Sequence, residues 1–345
     1  MKKIVLSILL MGLFALSHAQ SPIAILTHNG NMTPYYGTSA LVDAYAAADS
    51  GDVITLSPGV FTGVEIRKPL TLRGAGMMTD TAAGTLPTTI TGTYKIHNTD
   101  TDLPMTIEGI YFQDGAYMDN IYNVTFSKCY INSFLAPFYG GGNITNGTFV
   151  HCIIPNIKAS WLSNCHFYNS VVCEGVANGN WFQNSNGSTV LYNCIIQLRS
   201  ITSIDNFHSY NSILLLDNDT TSPLSMTNTC ENHEYCIGIN PWESLLFFPE
   251  SYVVGHHLHN VTYCYQLFGA SATSFNHEIT VFADYHLVEG VDSSWVGNDG
   301  TQIGIYGGAM PFNPKVNNPS IGHINVAGQT NGQGELPVNI EIVTE

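Results

Sequence analysis

Ser39–Gly76 reads S-A-L-V-D-A-Y-A-A-A-D-S-G-D-V-I-T-L-S-P-G-V-F-T-G-V-E-I-R-K-P-L-T-L-R-G-A-G, and two hydrophobic periods meet in it. Ala40, Leu41, Ala44, Tyr45 and Ala48 recur at helical spacing, which predicts a short amphipathic helix capped by Ser39. Asp49-Ser50-Gly51-Asp52 ends it. Val53, Ile54 and Leu56 then predict a strand, Ser57-Pro58-Gly59 a turn, Val60 to Ile66 a second strand closed by Arg67-Lys68-Pro69, and Leu70-Thr71-Leu72 a third. A helix followed by three short strands suits a cap over the first coil of a solenoid, whose end would otherwise be an open sheet edge.

Outward from this stretch the chain repeats itself. Met105-Thr106-Ile107-Glu108-Gly109 restores the pattern of Leu70-Thr71-Leu72-Arg73-Gly74, with a Thr/Ala/Gly-rich stretch up to Gly92 read as an inserted loop. Five segments then align: F-S-K-C-Y-I from Phe126, F-V-H-C-I-I from Phe149, F-Y-N-S-V-V from Phe167, L-Y-N-C-I-I from Leu191 and S-Y-N-S-I-L from Ser209. Their Cys/Ser positions 129, 152, 170, 194 and 212 are 23, 18, 24 and 18 residues apart, a period that matches one β-coil and is too short for a strand–helix–strand unit. Equivalent residues should therefore stack in columns ~4.8 Å apart. Phe126, Phe149, Phe167 and Leu191 are one interior column, and Lys128, His151, Asn169, Asn193 and Asn211 sit at a bend, where Asn tolerates a left-handed backbone.

The capping stretch, the stacked repeats and the ending Asp284-Tyr285-His286-Leu287 with Gly304-Ile305-Tyr306-Gly307-Gly308 resemble secreted right-handed parallel β-helix proteins of the pectin-lyase-like superfamily, from Ser39 to about Pro311. That resemblance implies an all-β solenoid over residues 20–312 with an N-terminal capping helix, a ladder of bonded asparagine amides at the bend, and an ending that closes the open end. Residues 313–345, with Ile321 to Val326 and Leu336 to Val343 alternating, predict a C-terminal β-hairpin extension. Residues 20–38 carry little periodic signal and are read as a lead-in to the cap.

Lys2-Lys3, the apolar run Ile4 to Leu16 and Ser17-His18-Ala19 read as a secretory signal cleaved near Ala19; a retained N-terminal anchor is the alternative. No lipoprotein cysteine follows it, and no later stretch is apolar enough to cross a membrane. The expected location is secreted, periplasmic or cell-surface. Losing residues 1–19 removes Lys2 and Lys3 and no acidic residue, so the formal charge goes from -16 to -18, which excludes nucleic acid and anionic lipid as expected partners. Only 10% of residues are charged, so the polar surface is mostly amide and hydroxyl, a surface suited to carbohydrate and to turns alike. Eight cysteines in an exported chain invite disulfides, but Cys129, Cys152 and Cys194 fall in one column, leaving Cys230 and Cys236 as the local pair.

Enzymes of the resembled superfamily are mostly polysaccharide lyases and polygalacturonase-type glycosidases. A lyase needs a base and a cation beside the uronate carboxylate. Arg67, Lys68 and Arg73 belong to the cap, so Lys128 with His151 one coil on is the remaining pair and the candidate ligand site; the two interrupt the asparagines at consecutive coils. A glycosidase needs two facing carboxylates, and Glu174, Asp205, Asp217 and Asp219 stand in no such signature. Asp217-Asn218-Asp219 lacks the Gly and terminal Glu of a helix-flanked calcium loop and reads as a turn. His256, His257 and His259 alternate across a strand, so at most two share a face and no third metal ligand is evident. His286 is read as part of the structural ending. No cofactor is implied. The expectation is an exported β-helix that binds glycan or another cell-surface component without catalysis, with a divergent lyase of an acidic polysaccharide as the alternative.

Overall fold

Short β-branched and aromatic runs, each broken by a residue that accepts a left-handed backbone, wind this chain into a parallel β-solenoid of about seven turns. The computed structural model describes residues 21–81, 84–92, 94–114, 116–118, 120–132, 134–135, 143–158, 161–174, 188–198, 207–216, 230–240, 246–269, 284–316, 320–326 and 338–343. The expected signal at 1–19, together with Asp205, Asp217 and Asp219, lies outside them, as does the side chain of Glu174. One turn runs through Val124–Ser127 in a first sheet, Tyr130–Ile131 in a second and Asn143–Thr145 in a third, then re-enters the first sheet at Thr148–Val150.

The columns stack in register. Phe126 pairs with Phe149 and Phe149 with Phe167; the rings lie 5.4 and 4.5 Å apart and nearly parallel, all fully buried. Removing each from water contributes about 1.5–3 kcal/mol. The column continues through Leu191 to Ser209 and His233, a buried pair hydrogen-bonded at 2.7 Å. Beside it run Cys129, Cys152, Ser170, Cys194, Ser212 and Cys236, all fully buried. Each follows a left-handed bend and folds its polar atom onto a carbonyl two residues back, such as Cys152 Sγ on Val150 O at 3.4 Å and Ser170 Oγ on Tyr168 O at 2.8 Å. Cys236 is thus a free thiol of the interior column rather than half of a local disulfide with Cys230. The segment His233–Cys236 is another repeat, 24 residues beyond Ser212.

The cap forms as the sequence predicts, with additions and with its second strand confined to Gly59–Thr62 rather than running from Val60 to Ile66. Helix α1 (Ala40–Ala47) buries Ala40, Leu41 and Ala44 over the first coil. Ser39 makes no side-chain cap; its hydroxyl donates to Asp43 Oδ2 at 3.3 Å instead. Lys68 Nζ donates to the carbonyls of Tyr45 and Ala48 at 3.1 and 2.5 Å, placing a cation at the negative end of α1. The stretch read as a lead-in is a hairpin, β1 (Ile23–His28) and β2 (Asn31–Tyr36), that adds antiparallel to Val53–Leu56. Pro34 and the exposed residues of β2 hide its period and block further pairing at the edge. Thr88–Thr91, expected within a loop, is a strand pairing with Gly59–Thr62.

The largest departure is the segment from Asp284 to Val316. Instead of closing the end, it runs back along the outside of the bend column as a strap. Trp295 stacks on His259 at 4.5 Å, Gly304 N donates to Asn211 O at 2.8 Å, and Asn169 Nδ2 donates to the carbonyls of Ile305 and Gly307 at 2.9 and 2.8 Å. Further back, Lys315 Nζ meets Asp80 at 3.0 Å, and Val316 lies against Gly109. Gly307 is obligatory here, because a Cβ would come within 1.8 Å of Gln302 O. Beneath the strap, Ile303, Ile305 and Tyr285 are buried in one cluster with Ile153, Val171, Ile195, Ile213 and Ile237, the outward residues of the second sheet. That sheet is apolar on both faces, which is why each repeat ends in a pair of large aliphatics. The last strands, Ser320–Val326 and Val338–Val343, form the expected antiparallel hairpin.

The bonded asparagine ladder stands at a different corner. Asn146 Nδ2 donates to Asn123 Oδ1 at 2.9 Å and Asn164 Nδ2 to Asn146 Oδ1 at 2.7 Å, all three with positive φ. Asn169, Asn193 and Asn211 also have positive φ, but the amides of Asn169 and Asn211 bond the strap. No helix of the described residues is long and apolar enough to cross a membrane.

Candidate functional site

With the second sheet roofed, the outer face of the first sheet stays accessible, and its side chains form two columns. In one, Arg73, Glu108, Ser127, Val150, Tyr168, Tyr192, Tyr210 and Glu234 follow each other in register. In the other, Thr71, Thr106, Thr125 and Thr148 lead to His166, Val190 and His208. Strand alternation sends the intervening residues inward, so both columns are set by the burial of Phe126, Phe149, Phe167 and Leu191.

Tyr168, Tyr192 and Tyr210 stack with centroids 5.5 and 5.1 Å apart and planes within 5° and 16° of parallel. His166 lies parallel to Tyr168 at 6.2 Å. The three tyrosines are partly exposed, and their hydroxyls bond no described residue. Partial burial, with Tyr192 adjacent, raises the phenol of Tyr168; burial, with Glu234 adjacent, raises that of Tyr210. These phenols stay neutral at physiological pH and offer both a donor and an acceptor. The cation of the tyrosine-bearing column, Arg73, is paired with Glu108 at 3.2 Å. The face is therefore built to hydrogen-bond and to bury apolar edges, and among its described residues no two carboxylates oppose each other as a hydrolytic pair would.

Lys128 and His151 lie at one bend on consecutive coils, both with positive φ. Both side chains hold the strap: Lys128 Nζ donates to Lys315 O at 2.6 Å, and His151 Nε2–H donates to Met310 O at 3.0 Å. His151 is buried, which lowers its pKa; the Met310 bond raises it and neighbouring Lys128 lowers it further. His256, His257 and His259 separate onto Tyr252, Tyr235 and Trp295. Among the described residues no three His, Cys, Asp or Glu converge as metal ligands. His286 is exposed on the strap, stacked on Tyr306 at 3.7 Å and bonded to Asp284 at 2.6 Å.

The tyrosine column was open to sequence reading: it is the second letter of F-Y-N-S, L-Y-N-C and S-Y-N-S. Attention to the following asparagine hides it. No protein-family model, curated protein or solved structure matches the chain.

Proposed function

We propose that this chain is an exported β-helix protein, allied to the pectin-lyase-like superfamily by its cap and its ending, that binds glycan without transforming it. The open face of the first sheet is the binding surface. The observation that carries this reading is the in-register stack of Tyr168, Tyr192 and Tyr210, whose hydroxyls bond no described residue while the equivalent apolar face of the second sheet is roofed. Ordered aromatic edges and hydroxyls that bond no described residue match a ligand that is itself a mixture of C–H patches and hydroxyls. The lyase alternative draws no support from Lys128 and His151, whose Nζ and Nε2 are engaged by the strap.

A glycan array probed with the mature protein and with the triple variant Tyr168→Ala/Tyr192→Ala/Tyr210→Ala tests this. Binding by the parent, its loss in the triple variant, and its retention in Lys128→Asn/His151→Asn are expected, with no unsaturated product absorbing in the ultraviolet. Binding that survives the triple variant, or a lyase product, overturns the reading.

A further inference from the structure

Resting on that reading, we infer that the glycan is an uncharged, linear polysaccharide lying parallel to the solenoid axis across the first sheet. Three observations converge. The first is periodicity. The tyrosine hydroxyls recur once per coil beside His166, Val190 and His208, and in the preceding coils of that neighbouring column Thr71, Thr106, Thr125 and Thr148 bring one hydroxyl per coil, so the face offers a polar repeat along the axis rather than one pocket. A sugar unit of an extended β-1,4-linked chain advances by nearly the ~4.8 Å that separates coils, so such a polymer meets successive rungs with successive units.

The second observation is charge. Arg73 is neutralised by Glu108, and Glu234 ends the tyrosine column, within a chain of formal charge -16. A uronate polymer laid along this face would pass both carboxylates without a free Lys or Arg among the described residues of the two columns.

The third is ring orientation. Because the tyrosines stack face to face, they present edges and hydroxyls to the ligand rather than open ring faces. Recognition then runs through hydroxyl hydrogen bonds, so the phenolic oxygen matters as well as the ring.

Calorimetry with cello-, manno-, xylo- and chito-oligosaccharides from disaccharide to hexasaccharide, against oligogalacturonates of the same lengths, tests the inference. Affinity is expected to climb with each unit of at least one neutral series and to be insensitive to salt. Tyr192→Phe, which keeps the stack, should weaken the longest ligand by roughly two- to tenfold. A preference for oligogalacturonate that fades with salt, abolished in the triple alanine variant, overturns the neutral ligand and leaves the site standing. Neutral binding that is unchanged in the triple variant overturns the site itself. Binding that saturates at the disaccharide, or no binding to any neutral series, overturns the linear polymer.

Discussion

His151 Nε2 lies 3.0 Å from the carbonyl oxygen of Met310, 159 residues further along the chain, while its Nδ1 is buried without a partner. The ring is thus held neutral, with its hydrogen on Nε2. A second hydrogen on Nδ1 would be a buried, unbonded donor near Lys128, and this sets the pH response of the strap. A detached strap leaves His151 to protonate near its ordinary value of about 6.5, whereas the docked one takes the proton only at lower pH. The docked state therefore binds fewer protons, its stability is complete above that value, and it weakens as pH falls below it. Protection of the Ile303–Ile305 amides, taken relative to the intrinsic exchange rate at each pH, should fall on acidification, and His151→Gln should flatten that dependence; protection that is unaffected by pH in the parent contradicts it.

The opposite sign holds at the cap. Hydrogen bonding and attraction to Asp52, at 2.9 Å, raise the pKa of His28, and Asp49 adds to this. Burial pushes the Asp52 carboxyl up, but the Asp49 N–H and His28 together bring it below the usual range. The contribution from His28 is complete below about 6.5 and is lost as pH rises through its raised value. The contribution from Asp52 is complete above about 4 and is lost as pH falls. The hairpin β1–β2 should thus be held best in mildly acidic solution. Protection of the Ile23–His28 amides, taken relative to the intrinsic exchange rate at each pH, should be greatest there, a maximum that Asp52→Asn removes.

The interior thiols should be inert. Burial raises Cys152, Cys165 and Cys194 to about 12 and Cys236 to about 11. Iodoacetamide should leave Cys129, Cys152, Cys165, Cys194 and Cys236 unlabelled in the folded protein and modify them in denaturant. Mass spectrometry without reduction should show no bridge to Cys236. Because Ser already alternates with Cys in this column, Cys152→Ser should cost about 1 kcal/mol or less, whereas Cys152→Leu should cost about 1–3 kcal/mol by overpacking.

Inward and outward members of neighbouring columns should separate cleanly in stability. Phe149→Ala opens a cavity between two stacked rings and should cost about 3–5 kcal/mol. Tyr192→Ala removes two partly exposed cross-strand pairs and should cost about 1 kcal/mol. Urea unfolding of the two variants measures the difference, and near-equal losses would place both residues in the core.

What could be read beforehand was whatever repeats locally. The Phe126, Phe149 and Phe167 column, the helix over Ala40–Ala47 and the short strands after it follow from hydrophobic period and turn residues. The strap could not be read, because its bonds pair Asn169 with Ile305 and Lys128 with Lys315, residues more than a hundred positions apart that share no pattern. For the same reason the amides of Asn169 and Asn211, expected to bond their neighbours in adjacent coils, bond the strap instead. The true ladder was legible: Asn123, Asn146 and Asn164 each stand five residues before a member of the bend column and repeat its spacing. Cys236 was misread because Cys230 lies six residues away in sequence, and proximity hid its place in the next coil.

A solenoid without a strap couples each coil only to its neighbours, so it can fray from either end one turn at a time. The segment through Trp295, Gly304, Met310 and Lys315 ties the coil of His259 to those of Asn211, His151 and Lys128 in one covalent run. Loss of any coil along that run strips the strap from the apolar face beneath it, so the penalty is shared by all of them. Partial unfolding becomes costly, and a linear array acquires the all-or-none behaviour of a globular domain. The same long-range contacts form late, so this cooperativity comes with slow folding.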